Sequence, residues 1–351
     1  MRKFVVSDLH GDINTYNAIM GYLENVSKYD EVILYINGDL IDRGIFFAEM
    51  LIDIKNRIEN GNPFKIEYLA GNHEWMMLDA YHIMNDDYIY YNDRRRRTCN
   101  RLHYSSLTEH LLNTYWGYIG LDTYYCLEDN FFDNKEKKFD YKAEEDLYKF
   151  IGNLKLYHKF NETLNGKPIV LSHASCPKNP LDICDLNLES VVEDVMIYAE
   201  KMSRFDKKNS VTEKEKEYYD ILCASRINRI TMQKDSNINL GNENYFTIVG
   251  HTPVDNNLGH LYYEKDNVLN IDGGNAFYWR GDFKYDHVPL VEIDGINNRL
   301  IILTFNHNNE IIYGTYFDSK IIYMNNSELE NYRKYLNKDA KIMKYEKEWF
   351  E

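Results

Sequence analysis

The sequence predicts an α/β protein. Two observations carry that reading. Short apolar runs end repeatedly in a polar cluster followed by helical periodicity, and the same design returns in the second half of the chain. Strand–loop–helix repeats of this kind build βαβ units, whose ligand sites lie just beyond the carboxyl ends of the strands.

The first strand covers Lys3–Ser7 and stops at Asp8-Leu9-His10-Gly11-Asp12. Ile13, Tyr16, Met20, Leu23 and Val26 then lie on one helical face, with Asp12 as the cap. The second strand, Val32–Ile36, runs into Asn37-Gly38-Asp39-Leu40-Ile41-Asp42-Arg43-Gly44, and residues 46–59 repeat apolar side chains at helical spacing. The third, Ile66–Leu69, runs into Gly71-Asn72-His73-Glu74. Residues 79–150 are rich in Tyr, Asn and charge, contain the run Arg94–Arg97, and read as a helical insertion. A charge run is ordinarily a solvated face. Pro168–Leu171 runs into Ser172-His173-Ala174, Tyr245–Val249 into Gly250-His251-Thr252-Pro253, and Asn267–Ile271 into Asp272-Gly273-Gly274. Residues 289–323 follow a β-hairpin pattern with turns at Asn297-Asn298 and Asn308-Asn309, and a charged helical stretch begins near 326. The expected organisation is a main domain over residues 1–300, with the insertion at 79–150, and a C-terminal β-hairpin and charged helical extension over 301–351.

Composition narrows the function classes. Among 351 residues, 56 acidic side chains face 41 basic ones, a formal charge of −15. That balance argues against a basic nucleic-acid coat, so no extended nucleic-acid binding is expected. It leaves phosphate chemistry open, because cations can neutralise acidic groups. Runs such as Val32–Ile36 and Leu300–Phe305 are too short to span a bilayer, and the apolar stretch after Met1 stops too early for a signal peptide. The five cysteines, Cys99, Cys126, Cys176, Cys184 and Cys223, contain no CxxC pair. These features predict a reduced, cytoplasmic protein with no thiolate metal site and no membrane partner.

The strand-end clusters offer Asp8, His10, Asp39, Asn72, His173 and His251. Carboxylate, amide and imidazole donors suit Mn²⁺, Fe²⁺ or Zn²⁺. Six ligands exceed one open catalytic site but suit two metals sharing a carboxylate, roughly 3.5–4 Å apart. The spacing fits separate strands: Asp39 lies 31 residues after Asp8, and Asn72 lies 33 after Asp39. Each gap accommodates one βαβ crossover.

D-x-H-G at Asp8–Gly11, G-D-x-x-D-R-G at Gly38–Gly44, G-N-H-E at Gly71–Glu74, S-H-A at Ser172–Ala174 and G-H-T-P at Gly250–Pro253 occur in that order. The set resembles the phosphoprotein phosphatase family of calcineurin-like metallophosphoesterases over residues 1–285. The details are most similar to bacterial serine/threonine phosphatases and symmetrical dinucleoside tetraphosphatases. The resemblance implies two packed mixed β-sheets flanked by helices. It implies two divalent ions, foremost Mn²⁺ with Fe²⁺ or Zn²⁺ as alternatives. Asp8, His10 and Asp39 would hold one; Asp39, Asn72, His173 and His251 would hold the other. A hydroxide bridging the ions would attack a phosphate ester, with His73 protonating the leaving oxygen and Asp42 orienting it. Arg43 would bind phosphate oxygens, as would Arg226 in Ile221-Leu222-Cys223-Ala224-Ser225-Arg226, where Cys replaces the usual Trp and Arg229 follows closely. Trp116–Gly120 echoes a segment that bacterial relatives carry after G-N-H-E.

Ser7 stands where many relatives hold Gly, a departure expected to change little. Glu74 is expected to support its loop rather than touch substrate, and Asp272 reads as structural. His82, His103, His110, His158, His260, His287 and His307 show no metal spacing and read as packing or surface residues. The leading functional expectation is a phosphatase acting on phosphoserine or phosphothreonine in proteins. The alternatives are hydrolysis of symmetrical dinucleoside tetraphosphates or another nucleotide or RNA-end phosphate, and, in a different class, a non-catalytic module binding a phosphorylated partner.

Overall fold

The computed structural model describes residues 1–44, 46–84, 131–133, 138–180, 186–203, 212–223, 227–228, 233–234, 241–254, 258–278, 287–307 and 310–336. In chain order it begins with β1 (Arg2–Val6), α1 (Ile13–Ser27), β2 (Val32–Asn37), α2 (Phe47–Asn60), β3 (Lys65–Leu69) and α3 (Asn72–Met84). There follow α4 (Tyr141–Gly152), β4 (Tyr157–Leu164), β5 (Lys167–Ser172), α5 (Leu188–Ser203), α6 (Glu213–Cys223), β6 (Phe246–Val249), β7 (Leu261–Tyr263) and β8 (Val268–Asn270). The chain then forms β9 (Val288–Asp294), β10 (Arg299–Phe305), β11 (Ile311–Phe317), β12 (Ile321–Tyr323) and α7 (Asn326–Arg333). Among the described residues, no helix is long and apolar enough to cross a membrane.

These strands form two sheets. The first runs β12-β11-β10-β9-β1-β2-β3, with β1, β2 and β3 parallel and every other pairing antiparallel. The second runs β7-β8-β6-β5-β4, with β5, β6 and β8 parallel at its centre. Side chains alternate between two cores, as a pleat requires. Phe4, Val6, Leu34 and Ile36 face helices and pack with Ile19, Leu23, Leu51 and Ile54. Val5, Tyr35 and Leu69 face the other way and meet Phe160, Leu171, Phe246 and Ile248 between the sheets. The periodicity of α1 follows from this burial, and Asp12 caps it by accepting the Thr15 N–H at 3.2 Å.

The expected boundary at residue 300 falls inside β10. That strand pairs with β9 from Arg299 to Phe305 and with β11 on its other edge. Leu300 and Ile302 enter the core between the sheets, while Ile301, Leu303 and Phe305 face helices. The hairpin is therefore part of the same sheet as β1, and among the described residues only α7 and its neighbours lie beyond it. Of the insertion expected at 79–150, the structure describes the end of α3, a short strand pair at Phe132–Asp133 and Lys138–Phe139, and α4. Arg94–Arg97, Trp116–Gly120, Arg226 and Arg229 lie outside the described residues.

Candidate metal centre

Every central parallel strand delivers a polar residue at its carboxyl end. β1 leads to Asp8 and His10, β2 to Asp39, Asp42 and Arg43, and β3 to Asn72 and His73 in the first turn of α3. From the second sheet, β5 leads to His173, β6 to His251 and β8 to Asp272. The first two loops interlock through their backbones: Asp8 N donates to Gly38 O at 3.2 Å, His10 N to Asp39 O at 3.0 Å, and Gly44 N to His10 O at 2.9 Å. Among the described residues, ten non-glycine positions have positive φ, and six of them are Asp8, His10, Asp39, Asp42, Arg43 and His251. Left-handed backbone is costly for such residues and persists where surrounding structure enforces it, typically at functional sites.

The side chains converge. His10 Nδ1 donates to Ile41 O at 2.9 Å, which leaves Nε2 as the nitrogen that could take a metal. That Nε2 lies 3.6 Å from Asp39 Oδ2 and 4.0 Å from Asp8 Oδ1. His173 Nδ1 donates to Asn37 O at 2.8 Å, and its Nε2 lies 3.4 Å from Asp39 Oδ1 and 3.2 Å from Asn72 Oδ1. His251 Nδ1 is 2.7 Å from the same Asn72 oxygen. Two groups of possible ligands result, His10–Asp39–His73 and Asp39–His173–His251, with the ligand atoms of each within 4.8 Å of one another. Asp39 belongs to both. Asp8 stands beside the first group, held by His251 N, which lies 3.1 Å from both of its carboxylate oxygens. All of these side chains are buried. The donor set is oxygen and imidazole without thiolate, and buried carboxylates of this kind need compensating positive charge, so the residues fit divalent cations.

Electrostatics follow from the same crowding. Burial, reinforced by Asp272, pushes Asp8 well above the usual carboxylate range. Burial acts on Asp39 in the same sense, but His173, His73 and His10 outweigh it and hold Asp39 well below that range. Burial and the neighbouring His73 push His10 down to about 3. Burial opposes charge on His173 and His73 too; Asp39 overcomes it in both, lifting His173 to about 10, and Asp42 adds to the rise at His73. His73 Nδ1 donates to Asp42 Oδ2, and its Nε2 lies 3.7 Å from Asp39 Oδ2. Arg43 is half-buried in the same loop.

Glu74 supports the loops, as its place in the motif suggests. Its two oxygens accept from Asp39 N at 2.9 Å, Leu40 N at 3.1 Å, Gly71 N at 2.8 Å and Tyr68 Oη at 2.7 Å. Sequence reasoning undervalued three neighbours. Asp272 is a further buried carboxylate, pushed up to about 7 by burial and by Asp39, with one oxygen on Gly274 N. His307, expected as packing or surface, pairs with the buried Asp12 at 2.9 Å. Asn37 ties the two sheets together by donating to Ser172 O at 3.0 Å. The available signal was position: Asp272 ends a strand, and Asn37 directly precedes Gly38 and Asp39.

Residues 1–200 match the calcineurin-like phosphoesterase family. No curated protein matches the chain. Among solved structures, the chain is similar to a cold-active protein-tyrosine phosphatase of a psychrophilic Shewanella species, at 16% identity and a TM-score of 0.38, over 88% of this chain and 78% of that one. It is also similar to a protein serine/threonine phosphatase from Saccharomyces cerevisiae, at 15% identity and a TM-score of 0.43, over 87% and 80% of the two chains. A proposed diadenosine tetraphosphatase matches at 12% identity and a TM-score of 0.42, over 86% and 93%. With the family match covering more than half its length, the chain belongs to the calcineurin-like phosphoesterases, a metal-dependent family, and is a phosphoric-ester hydrolase.

Proposed function

We propose that the protein is a dinuclear metallophosphatase of the bacterial serine/threonine phosphatase type, removing phosphate from phosphoserine or phosphothreonine in proteins. The observation that carries this reading is the sharing of Asp39 between two buried groups of possible ligands, one of which includes His73, whose ring is paired with Asp42. Asp8, His10 and Asp39 would hold one divalent cation, Mn²⁺ foremost; Asp39, Asn72, His173 and His251 would hold the second. When bound, such ions polarise phosphoryl oxygens and make water nucleophilic at neutral pH.

The remaining steps belong to the chain itself. Asp42 fixes the His73 ring through Nδ1 and favours its charged form, which leaves Nε2 to hand a proton to the departing alkoxide. Arg43 would grip the nonbridging phosphate oxygens with its planar fork, and Arg226 is proposed as the second such group. Burial of the possible ligands and of the His73–Asp42 pair keeps bulk water from them, which strengthens the interactions they make. The test is a Mn²⁺-supplemented substrate panel of phosphoserine and phosphothreonine peptides, diadenosine tetraphosphate and RNA ends. Turnover of the phosphopeptides well above the others supports the reading. Hydrolysis confined to the dinucleotide or RNA ends would overturn its substrate class, and inertness toward all of them would overturn the catalytic reading.

A further inference from the structure

Ser7 has a sharply defined place in the structure. It is 2% exposed, and its Oγ lies 2.5 Å from Asp8 Oδ2 and 3.1 Å from Asn37 O. A hydroxyl carries one hydrogen and serves one acceptor at a time; the carboxylate is both the nearer and the stronger. Gly250 closes the opposite side. A Cβ at that position would fall 2.1 Å from Ser7 Oγ and 2.0 Å from Asp8 Oδ2. Packing, and not a free rotamer choice, therefore aims the hydroxyl at the carboxylate. The alternative acceptor is informative as well: Asn37 O also receives His173 Nδ1 at 2.8 Å. Ser7 thus stands between Asp8, which lies beside the first group, and the carbonyl that receives His173 of the second.

We infer that Ser7 is a positioning residue of the metal centre. Its hydroxyl holds the Asp8 carboxylate in the orientation that faces a cation. The inference rests on the dinuclear reading above. With Ser7 removed, His251 N still donates to that carboxylate, but it sits equally far, 3.1 Å, from both oxygens, so it selects neither. Losing a group that orients a metal ligand typically weakens metal binding roughly 10–100-fold.

Calorimetric titration of metal-stripped wild type, Ser7→Ala and Ser7→Gly with Mn²⁺ tests this. Electron paramagnetic resonance would follow the spin-coupled Mn²⁺ pair, and the melting temperature of each metal-free protein would report the fold. Both variants are expected to bind Mn²⁺ at least about 10-fold more weakly. They should show less of the coupled signal at partial loading and keep the metal-free melting temperature of wild type. Wild-type affinity in both variants would overturn the inference. So would weaker binding accompanied by a lower metal-free melting temperature or failure to fold, which would mark the role as structural only. Wild type that takes up no Mn²⁺ would instead remove the dinuclear reading beneath it.

Discussion

His73 has one ring nitrogen on Asp42 and the other 3.7 Å from Asp39, inside a cluster almost closed to solvent. An imidazole so placed suits the proposed acid role better than that of a ligand, because Asp39 and Asp42 favour its protonated form. Its backbone N–H also donates to Asp39 Oδ1 at 3.0 Å, so main chain and ring both address the shared carboxylate. Replacing His73 with Asn is predicted to leave metal content unchanged and to slow hydrolysis of alkyl phosphate esters by roughly 10²–10⁴. The slowing should be milder for nitrophenyl phosphate, whose leaving group needs no proton. Steady-state rates on both substrate types, beside metal analysis, check this; equal slowing on both would contradict the acid role. Such residues were legible in the sequence because their chemical types recur, in order, at the ends of apolar runs. Ser7 was not legible, since its value depends on Gly250, more than two hundred residues away in the chain, closing over its hydroxyl.

The three loops after β1, β2 and β3 are tied to one another by hydrogen bonds. Glu74 is the fastening, with four donors drawn from the loop after β2, the loop before α3 and the Tyr68 ring on β3. Glu74→Ala would leave buried N–H groups without an acceptor, each costing about 1–3 kcal/mol. A stability loss of about 3 kcal/mol or more is expected in urea denaturation, and a loss below about 1 kcal/mol would contradict the fastening role. Gly250 sets a second limit. Gly250→Ala would drive its methyl into Asp8 and Ser7, and Mn²⁺ affinity is expected to fall by at least about 10-fold in calorimetric titration. Unchanged affinity would mean the loop after β6 can retreat. The βαβ half of the fold was legible because each strand, loop and helix is local in sequence. The place of β10 and β11 was not: they attach to the free edge of β1 through β9, and a hairpin pattern does not say which edge it completes.

Across the whole molecule, acid stability follows from histidines buried away from the centre. Burial pushes His260 and His158 each down to about 4; His260 Nδ1 donates to Leu258 O, and the His158 ring lies between Tyr35 and Phe160. The unfolded chain takes up protons on these rings near pH 6.5, before the folded chain does. The contribution of these two histidines is therefore full above about pH 6.5 and falls as pH drops toward 4, with His260 alone giving on the order of 3 kcal/mol of the loss. Urea midpoints between pH 7 and 4 should show a shallower decline in His260→Gln than in wild type; parallel curves would contradict this. The formal charge of −15 is likewise a whole-molecule quantity, and it describes the centre poorly, where carboxylates and imidazoles gather to fit cations. Asp39 is proposed to serve two ions at once. Equilibrium dialysis against Mn²⁺, with metal counted per chain in wild type and Asp39→Asn, tests it most directly. Two ions are expected in wild type and loss of that pair in the variant; a single ion in wild type, or two retained by Asp39→Asn, would contradict the shared-ligand proposal.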